Sequence, residues 1–150
     1  MKLVLETESS LLKIREVLEA VDVFLKQNPT HPQLHDDLAL VLAEVFSNIA
    51  RHAYGHDQGI IRLHLSLVGD GVECMVSDYG IEFNPLALDD MLPDPDALCE
   101  GGYGWFLIKT LTRDLHYSRE QDKNILQFLV AGTPMAPVDS GTIATGLPQV

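Results

Sequence analysis

The run from Leu40 to Tyr54 carries a carboxylate, a carboxamide and an imidazole at intervals of four residues, namely Glu44, Asn48 and His52. On an α-helix four residues make just over one turn, so neighbouring members of this trio are predicted to stack along one side. A carboxylate can act as a general base, and an amide oxygen is a hard ligand suited to Mg²⁺. The trio therefore fits a metal–phosphate site, although an ordinary solvated helix face has the same pattern.

The same run predicts a helix from about Gln33 to Ala53, packed on a hydrophobic core. Its apolar residues fall opposite the polar trio at about 100° per residue; they are Leu38, Leu42, Val45, Ile49 and Ala53. At this angle Arg51 points within about 20° of the direction of Glu44, so its guanidinium can reach a phosphate held there.

A second group, Asp78-Tyr79-Gly80, follows an apolar strand. An aspartate at the end of a strand can point into a cavity beneath the helices and accept a hydrogen bond from an exocyclic amine, such as that of adenine. Gly80 lets the chain turn without a Cβ that would meet the ligand. By itself, however, Asp-x-Gly is also a common sequence between a strand and a turn.

Glycines precede and open a third predicted helix, at Gly101, Gly102 and Gly104. This arrangement leaves backbone N–H groups bare at the positive end of a helix, where they can hold a phosphate. Glycine also serves tight turns and helix starts for backbone reasons alone, so the turn is a weak signal when taken alone. The apolar Trp105 and Phe106 that follow are predicted to anchor this helix in the core.

The hydrophobic spacing of the rest of the chain supplies the elements that hold these groups. It predicts strands at 2–6, 60–67, 72–78, 115–119 and 125–130, and helices at 11–25, 33–53 and 102–113, with one helical turn near 86–91. The order β-α-α-β-β-loop-α-β-β indicates a two-layer α+β sandwich, with a mostly antiparallel sheet and the helices on one face.

Composition narrows the classes of function. The 150 residues carry a formal net charge of −12, which argues against binding to nucleic acid or to anionic lipid, because both require a basic surface. No apolar stretch is long enough to span a membrane and no leader is evident, so we expect a cytoplasmic protein. Residues 1–130 are expected to form one domain, and 131–150, rich in Gly, Pro, Ser and Thr, a flexible tail.

The three groups occur in an order that resembles the GHKL-type ATP-binding fold shared by histidine kinases and gyrase. The order is a helix bearing Glu, Asn and His, then Asp-x-Gly after a hairpin strand, then Gly-x-Gly opening the next long helix. Within that superfamily the chain is most similar to the stand-alone anti-sigma factor serine kinases, over roughly residues 1–130.

The resemblance implies roles for the residues of the second helix. Glu44 matches the catalytic base that orients or deprotonates the serine hydroxyl of a partner protein. Asn48 matches the ligand of the Mg²⁺ that bridges the ATP phosphates. Arg51 and His52 flank this site.

The other two groups receive roles in the same way. Asp78 matches the aspartate that binds the adenine amine, with Gly80 beside it. Gly102 and Gly104, together with Gly101, match the glycines at the junction between the family's lid and its phosphate-binding helix.

The function implied by the resemblance is that of an anti-sigma factor serine-protein kinase. Such a protein binds ATP with Mg²⁺, phosphorylates a STAS-domain anti-anti-sigma factor, sequesters a sigma factor and forms a homodimer. Two departures from the family pattern keep a non-catalytic partner-switching module open. Glu82 follows the Asp-x-Gly motif where the family has a glycine or proline, and Glu100 precedes the glycines where some members have a basic residue. An auxiliary domain of a two-component pathway is a third alternative.

Other chemistries are less well supported by the residues. His52 and His56 have the spacing of a zinc-binding pair, but Gly55 is expected to end the helix and no further ligand completes a tetrahedral set. Ser9 and Ser10 fit an N-cap better than a nucleophile.

Overall fold

A computed structural model describes residues 1–28, 30–55, 57–69, 71–82 and 102–131. Its strands are β1 (Lys2–Glu8), β2 (Ile60–Val68), β3 (Gly71–Asp78), β4 (Arg113–Glu120) and β5 (Lys123–Val130); its helices are α1 (Leu11–Gln27), α2 (Pro32–Asn48) and α3 (Gly102–Leu111), and a π-helical segment spans Ile49–Tyr54. The helical turn predicted near 86–91 and the tail beyond 131 lie outside the described residues. None of the helices within these ranges is long and apolar enough to cross a membrane.

The five strands form one sheet in the order β1-β2-β3-β5-β4, and every pairing is antiparallel. Alternate residues of β2 (Ile61, Leu63 and Leu65) are almost fully buried, as are Cys74 and Val76 on β3. These side chains join the helices in a single apolar cluster, so the helices pack on one face of the sheet. The predicted two-layer α+β sandwich is confirmed.

Helix α2 is the central helix of the layer and contacts both α1 and α3. The apolar residues predicted to face the core are all buried; they are Leu38, Leu42, Val45, Ile49 and Ala53. Pro32 occupies the start of α2, where its missing N–H breaks no helical hydrogen bond. The side chain of Ser10 accepts a hydrogen bond from the Lys13 backbone N–H (3.3 Å), which is the predicted N-cap of α1.

The end of the second helix differs from the prediction. The α-helix stops at Asn48, and the chain continues as a π-helical segment as far as Tyr54, before Gly55 with φ of +61°. A π-helical turn contains more residues than an α-helical turn, so the α-helical spacing does not hold beyond Asn48. Such segments are rare and occur frequently at functional sites.

The third helix also departs from the prediction, in its length and in one anchor. It ends at Leu111 because the edge strand β4 begins at Arg113. Trp105 is buried, as predicted, but Phe106 is 53% exposed, so its predicted role as a core anchor is wrong. Adjacent helix positions point about 100° apart, and only one of the two faces the sheet.

The strand register aligns four residues side by side at one end of the sheet. Asp78 pairs with Ile61 on one side and with Asn124 on the other, and Asn124 pairs with Arg119. Directly opposed residues in antiparallel strands share a face of the sheet. Because Ile61 is buried under the helices, this row lies on the face that the helices cover.

Candidate functional site

Helices α2 and α3 meet where Glu44 and Asn48 face Gly104. A Cβ at Gly104 would overlap Glu44 Oε1 and lie 3.5 Å from Asn48 Nδ2, so a larger residue would displace the carboxylate. Gly102 is the first residue of α3, which places Gly104 in its first turn. The structure therefore brings the helix bearing Glu and Asn against the positive end of α3, whereas Gly101 lies outside the described residues.

The side chain of Asn48 is fully buried, although its position was predicted to be on the polar side of the helix. Its Oδ1 accepts a hydrogen bond from Arg51 Nη2 (2.7 Å), but its Nδ2 has no hydrogen-bond partner in the described structure. A buried donor without a partner costs about 1–3 kcal/mol. A group of this kind in a folded protein is explained by a catalytic role, by strain, or by a bound water or ion.

Arg51 is exposed overall, but its Nη2 donates to Oδ1 of the buried Asn48. The oxygen that was predicted to bind a metal ion, Asn48 Oδ1, therefore already accepts a hydrogen bond from a positively charged group. Because Arg51 lies in the π-helical segment, the α-helical angle that aligned it with Glu44 does not apply, and its reach toward a phosphate stays a prediction.

His52 is the third member of the predicted row, after Glu44 and Asn48. It is exposed and makes no hydrogen bond to either residue within the described part of the chain. His52 lies in the π-helical segment and is exposed, whereas Asn48 is buried, so the stacking of all three side chains stays a prediction. Partial burial, and to a smaller degree the positive charge of Arg51, lower the pKa of His52.

Asp78 is the last residue of β3 and is only 2% exposed. Its Oδ1 accepts hydrogen bonds from the Gly80 backbone N–H (2.8 Å) and from Asn124 Nδ2 (2.9 Å). Burial raises the pKa of Asp78, and these two hydrogen bonds together with the charge of Arg119 counteract that increase. Among the described residues every hydrogen bond to this carboxylate falls on Oδ1, so Oδ2 is available to a donor on a ligand.

Residues 78–81, here called the strand-exit segment, pack against the π-helical segment. A Cβ at Gly80 would come within 2.5 Å of Ala53 Cβ and Ala53 O, and the Ile81 N–H donates to Ala53 O (2.8 Å). The Tyr54 hydroxyl accepts from the Tyr79 N–H (2.8 Å) and donates to Ile60 O (2.6 Å). The continuation of α2 therefore joins the Glu44–Asn48 pair to the region of Asp78.

Two residues at this end of the sheet were missed from the sequence, namely Asn124 and Arg119. Their pairing with each other could have been predicted, because only a two-residue turn joins β4 and β5. Their position beside Asp78 could not be predicted, because it depends on β5 lying next to β3, although residues 79–122 separate the two strands in sequence.

The oxygen donors of this region fit a magnesium ion that arrives with phosphate. Mg²⁺ is usually held by one or two protein oxygens and completes its shell with water and substrate phosphates. Asn48 Oδ1 offers one such ligand, and Glu44 lies beside it. The described residues contain no group of three or more His, Cys, Asp and Glu side chains that could hold a metal on their own.

Comparison with known proteins gives a family and several relatives. The family model described as the histidine kinase-like ATPase domain matches residues 7–130. The serine-protein kinases RsbW of Bacillus mycoides (strain KBAB4) and Bacillus cereus (strain AH187) are each 29% identical to the chain over 116 residues. Each alignment covers 73% of this chain and 72% of the relative.

Solved structures share the fold at low sequence identity. The RsbU and RsbW domains of Rv1364c from Mycobacterium tuberculosis align with a TM-score of 0.62 and 16% identity, covering 87% of this chain. The chain spans only 32% of that longer protein. The SiaB–SiaC complex from Pseudomonas aeruginosa aligns with a TM-score of 0.53 and 15% identity, covering 85% of this chain and 88% of the other.

The lowered pKa of His52 gives a testable pH dependence. We expect its imidazole to titrate below the ordinary value of 6.5, as followed by NMR of the ring protons. Between the two pKa values the unfolded chain binds a proton more readily than the folded protein. The contribution of His52 to stability is therefore present above pH 6.5 and is lost as pH falls from 6.5 through the lower pKa of the folded protein. Arg51→Gln should raise the pKa of His52 part of the way, since burial remains.

The matched control is Arg15→Gln on α1, which should leave the titration of His52 unchanged. A wild-type pKa at or above 6.5, or a further decrease in Arg51→Gln, would contradict the assigned causes.

Proposed function

The chain belongs to the histidine kinase-like ATPase domain family, and we propose that it is an ATP-dependent serine-protein kinase that works by partner switching. In this proposal it binds ATP with Mg²⁺, phosphorylates a STAS-domain anti-anti-sigma factor and sequesters a sigma factor. The relatives that carry the name serine-protein kinase RsbW support the reaction class. The cytoplasm is the proposed location, and a homodimer is the proposed assembly.

The observation that carries the proposal is the fully buried Asn48, whose Nδ2 lacks a partner beside the glycine-opened start of α3. This unsatisfied amide lies where backbone N–H groups and the helix dipole favour an anion. A phosphate chain held there supplies oxygen atoms that can accept from Nδ2. Nucleotide binding therefore removes a cost that the folded protein otherwise carries.

Glu44, Asn48 and Arg51 have separate proposed roles at the phosphate end of the site. Bound Mg²⁺ would neutralise charge on the phosphates as the phosphoryl group moves to its acceptor. Asn48 Oδ1 would hold the metal, which requires Arg51 to leave that oxygen and frees its guanidinium for a phosphate. Glu44, beside the start of α3, would orient the partner's serine hydroxyl and accept its proton.

The adenine end is supplied by Asp78. With Oδ1 already occupied by two donors, Oδ2 is an acceptor for the exocyclic amine of adenine. Hypoxanthine has a carbonyl oxygen in place of this amine, which would place a second acceptor against Asp78 Oδ2. The proposed site therefore favours adenine over hypoxanthine. A Cβ at Gly80 would overlap Ala53 rather than a ligand, so the glycine serves the packing that holds the strand-exit segment beside Asp78.

The partner assignments follow from the resemblance and fit the charge of the chain. A net charge of −12 steers basic protein surfaces toward the molecule and disfavours direct nucleic-acid binding.

We propose residues 1–130 as the kinase domain and 131–150 as a flexible tail. Glu82, one of the departures from the family pattern, is exposed, so it need not face the phosphates.

A second candidate is a partner-switching module that binds nucleotide without transferring phosphate. Glu100, which lies outside the described residues, favours it: the resemblance implies a basic residue at this position in some members, and an acidic side chain beside the γ-phosphate would oppose transfer. The two candidates share the nucleotide site and differ only in the phosphoryl-transfer step.

Asn48→Ala tests the nucleotide site. It should weaken Mg-dependent ATP binding at least about tenfold by titration calorimetry, because the metal loses its protein ligand. Gln33→Ala, which removes an exposed amide from the same helix, is the matched control and should bind as the wild type does. If the folded Asn48→Ala variant and the wild type bind ATP with equal affinity in the presence of Mg²⁺, the proposed nucleotide site is contradicted.

Transfer of labelled phosphate from ATP to a purified STAS partner tests the reaction. Glu44→Ala should lower the transfer rate by about 10²–10⁴-fold, the usual contribution of a general base, while ADP still binds. The control is Glu19→Ala, an exposed carboxylate on α1, which should transfer at the wild-type rate. Binding of ATP by the wild type without transfer to any STAS partner would support the second candidate.

A further inference from the structure

Arg119 on the edge strand β4 extends past its neighbouring strand to the strand-exit segment. Its Nη1 donates two hydrogen bonds, to Asn124 Oδ1 (2.9 Å) and to Gly80 O (2.9 Å). Its Nε donates to Gln121 O (3.1 Å), in the turn between β4 and β5. The guanidinium is therefore fixed from two sides and is only partly exposed.

The side chain of Asn124 is 2% exposed and uses both of its polar ends. Its Oδ1 accepts from Arg119 Nη1 and from the Tyr117 hydroxyl (2.6 Å), while its Nδ2 donates to Asp78 Oδ1 and to Ile81 O (each 2.9 Å). Reversal of the amide would direct its NH₂ group at the guanidinium of Arg119, which can only donate. Arg119 thus fixes which end of the amide faces Asp78.

The orientation of Asn124 in turn fixes the orientation of Asp78. A buried carboxylate with one oxygen held by two donors has little freedom to rotate, so the other oxygen points in one direction. Arg119 also holds Gly80 O, which prevents the strand-exit segment from shifting relative to the carboxylate. The positive charge of Arg119 favours the ionised form of Asp78, in addition to these contacts.

We propose that Arg119 is a positioning residue for base recognition, acting through Asn124 to aim Asp78 Oδ2 at the amino group of a 6-aminopurine nucleotide. This inference rests on the proposed nucleotide site. It assigns a role to the β4–β5 hairpin, which would otherwise be only the edge of the sheet. Arg119 itself touches neither base nor phosphate.

The proposal predicts a loss of base selectivity and little loss of phosphate binding. The measured quantity is the ratio of the dissociation constants of inosine diphosphate and adenosine diphosphate, each with Mg²⁺, by calorimetry. In Arg119→Ala the ratio should fall about tenfold, the value of one hydrogen bond to a charged group. A ratio unchanged from wild type, even with both nucleotides bound more weakly, would overturn the proposal, because a merely structural residue affects both equally.

A double-mutant cycle tests whether Arg119 acts through Asn124. Asn124→Ala should lower the ratio by a similar factor, and adding Arg119→Ala to that variant should change the ratio less than about twofold. Independent, additive effects on the ratio would contradict action through Asn124. Arg15→Ala on α1 is the matched control and should keep the wild-type ratio.

If Arg119→Ala does not fold, Arg119→Met carries the test, because it keeps most of the aliphatic side chain and offers no donor to Asn124 Oδ1 or Gly80 O. A lowered ratio in Arg119→Met supports the proposal, and a wild-type ratio overturns it. Failure of the proposed function is distinguishable, since wild type would then bind neither diphosphate or show no preference for the 6-amino base.

Discussion

The buried carboxylate of Asp78 is the constraint on which the rest of the site depends. A charge removed from water is tolerated only when donors surround it, and these donors come from two places. One is the turn that directly follows the strand, at Gly80, and the other is Asn124 on a strand far along the chain. The sheet order that places β5 beside β3 is therefore as necessary to the site as the aspartate itself.

The continuation of α2 into a π-helical segment joins the two ends of the site. At one end Asn48 lies against the start of α3, and at the other Ala53 and Tyr54 hold the strand-exit segment. The unsatisfied Nδ2 of Asn48 and the widened helical turn both depart from what stability alone would favour. Such departures concentrate at functional sites, where a ligand or a neighbouring element offsets their cost.

Much of the fold was predictable because it follows from hydrophobic periodicity. The spacing of apolar residues in α2 gave its buried side, and the alternation in β2 and β3 gave the first hairpin. The burial of Asn48 was not predictable, because it depends on α3 covering a side of α2 that is polar in sequence. Phe106 was assigned to the core from its type alone, whereas its exposure depends on the rotation of α3 about its axis.

Neither the π-helical segment nor the Arg119–Asn124 pair was predicted, because each depends on contacts between parts of the chain that are distant in sequence. The sequence from Ile49 to Tyr54 also fits an α-helix, whereas in the structure this segment is π-helical and packs through Ala53 on Gly80. The pair lies next to Asp78 through a contact between strands that are distant in sequence. Local patterns identify which residues can do chemistry, and the sheet topology decides which of them meet.

The central claim is that one nucleotide lies along the path from Asp78 to the start of α3. An amide NMR titration of the ¹⁵N-labelled protein with ADP and Mg²⁺ tests it most directly. Signals of Gly80, Gly104 and the Asn48 side-chain amide should move together and saturate at one ligand per chain, while Gly71 at the far end of β3 stays in place. If saturating nucleotide leaves the first three signals unmoved, the claim is contradicted.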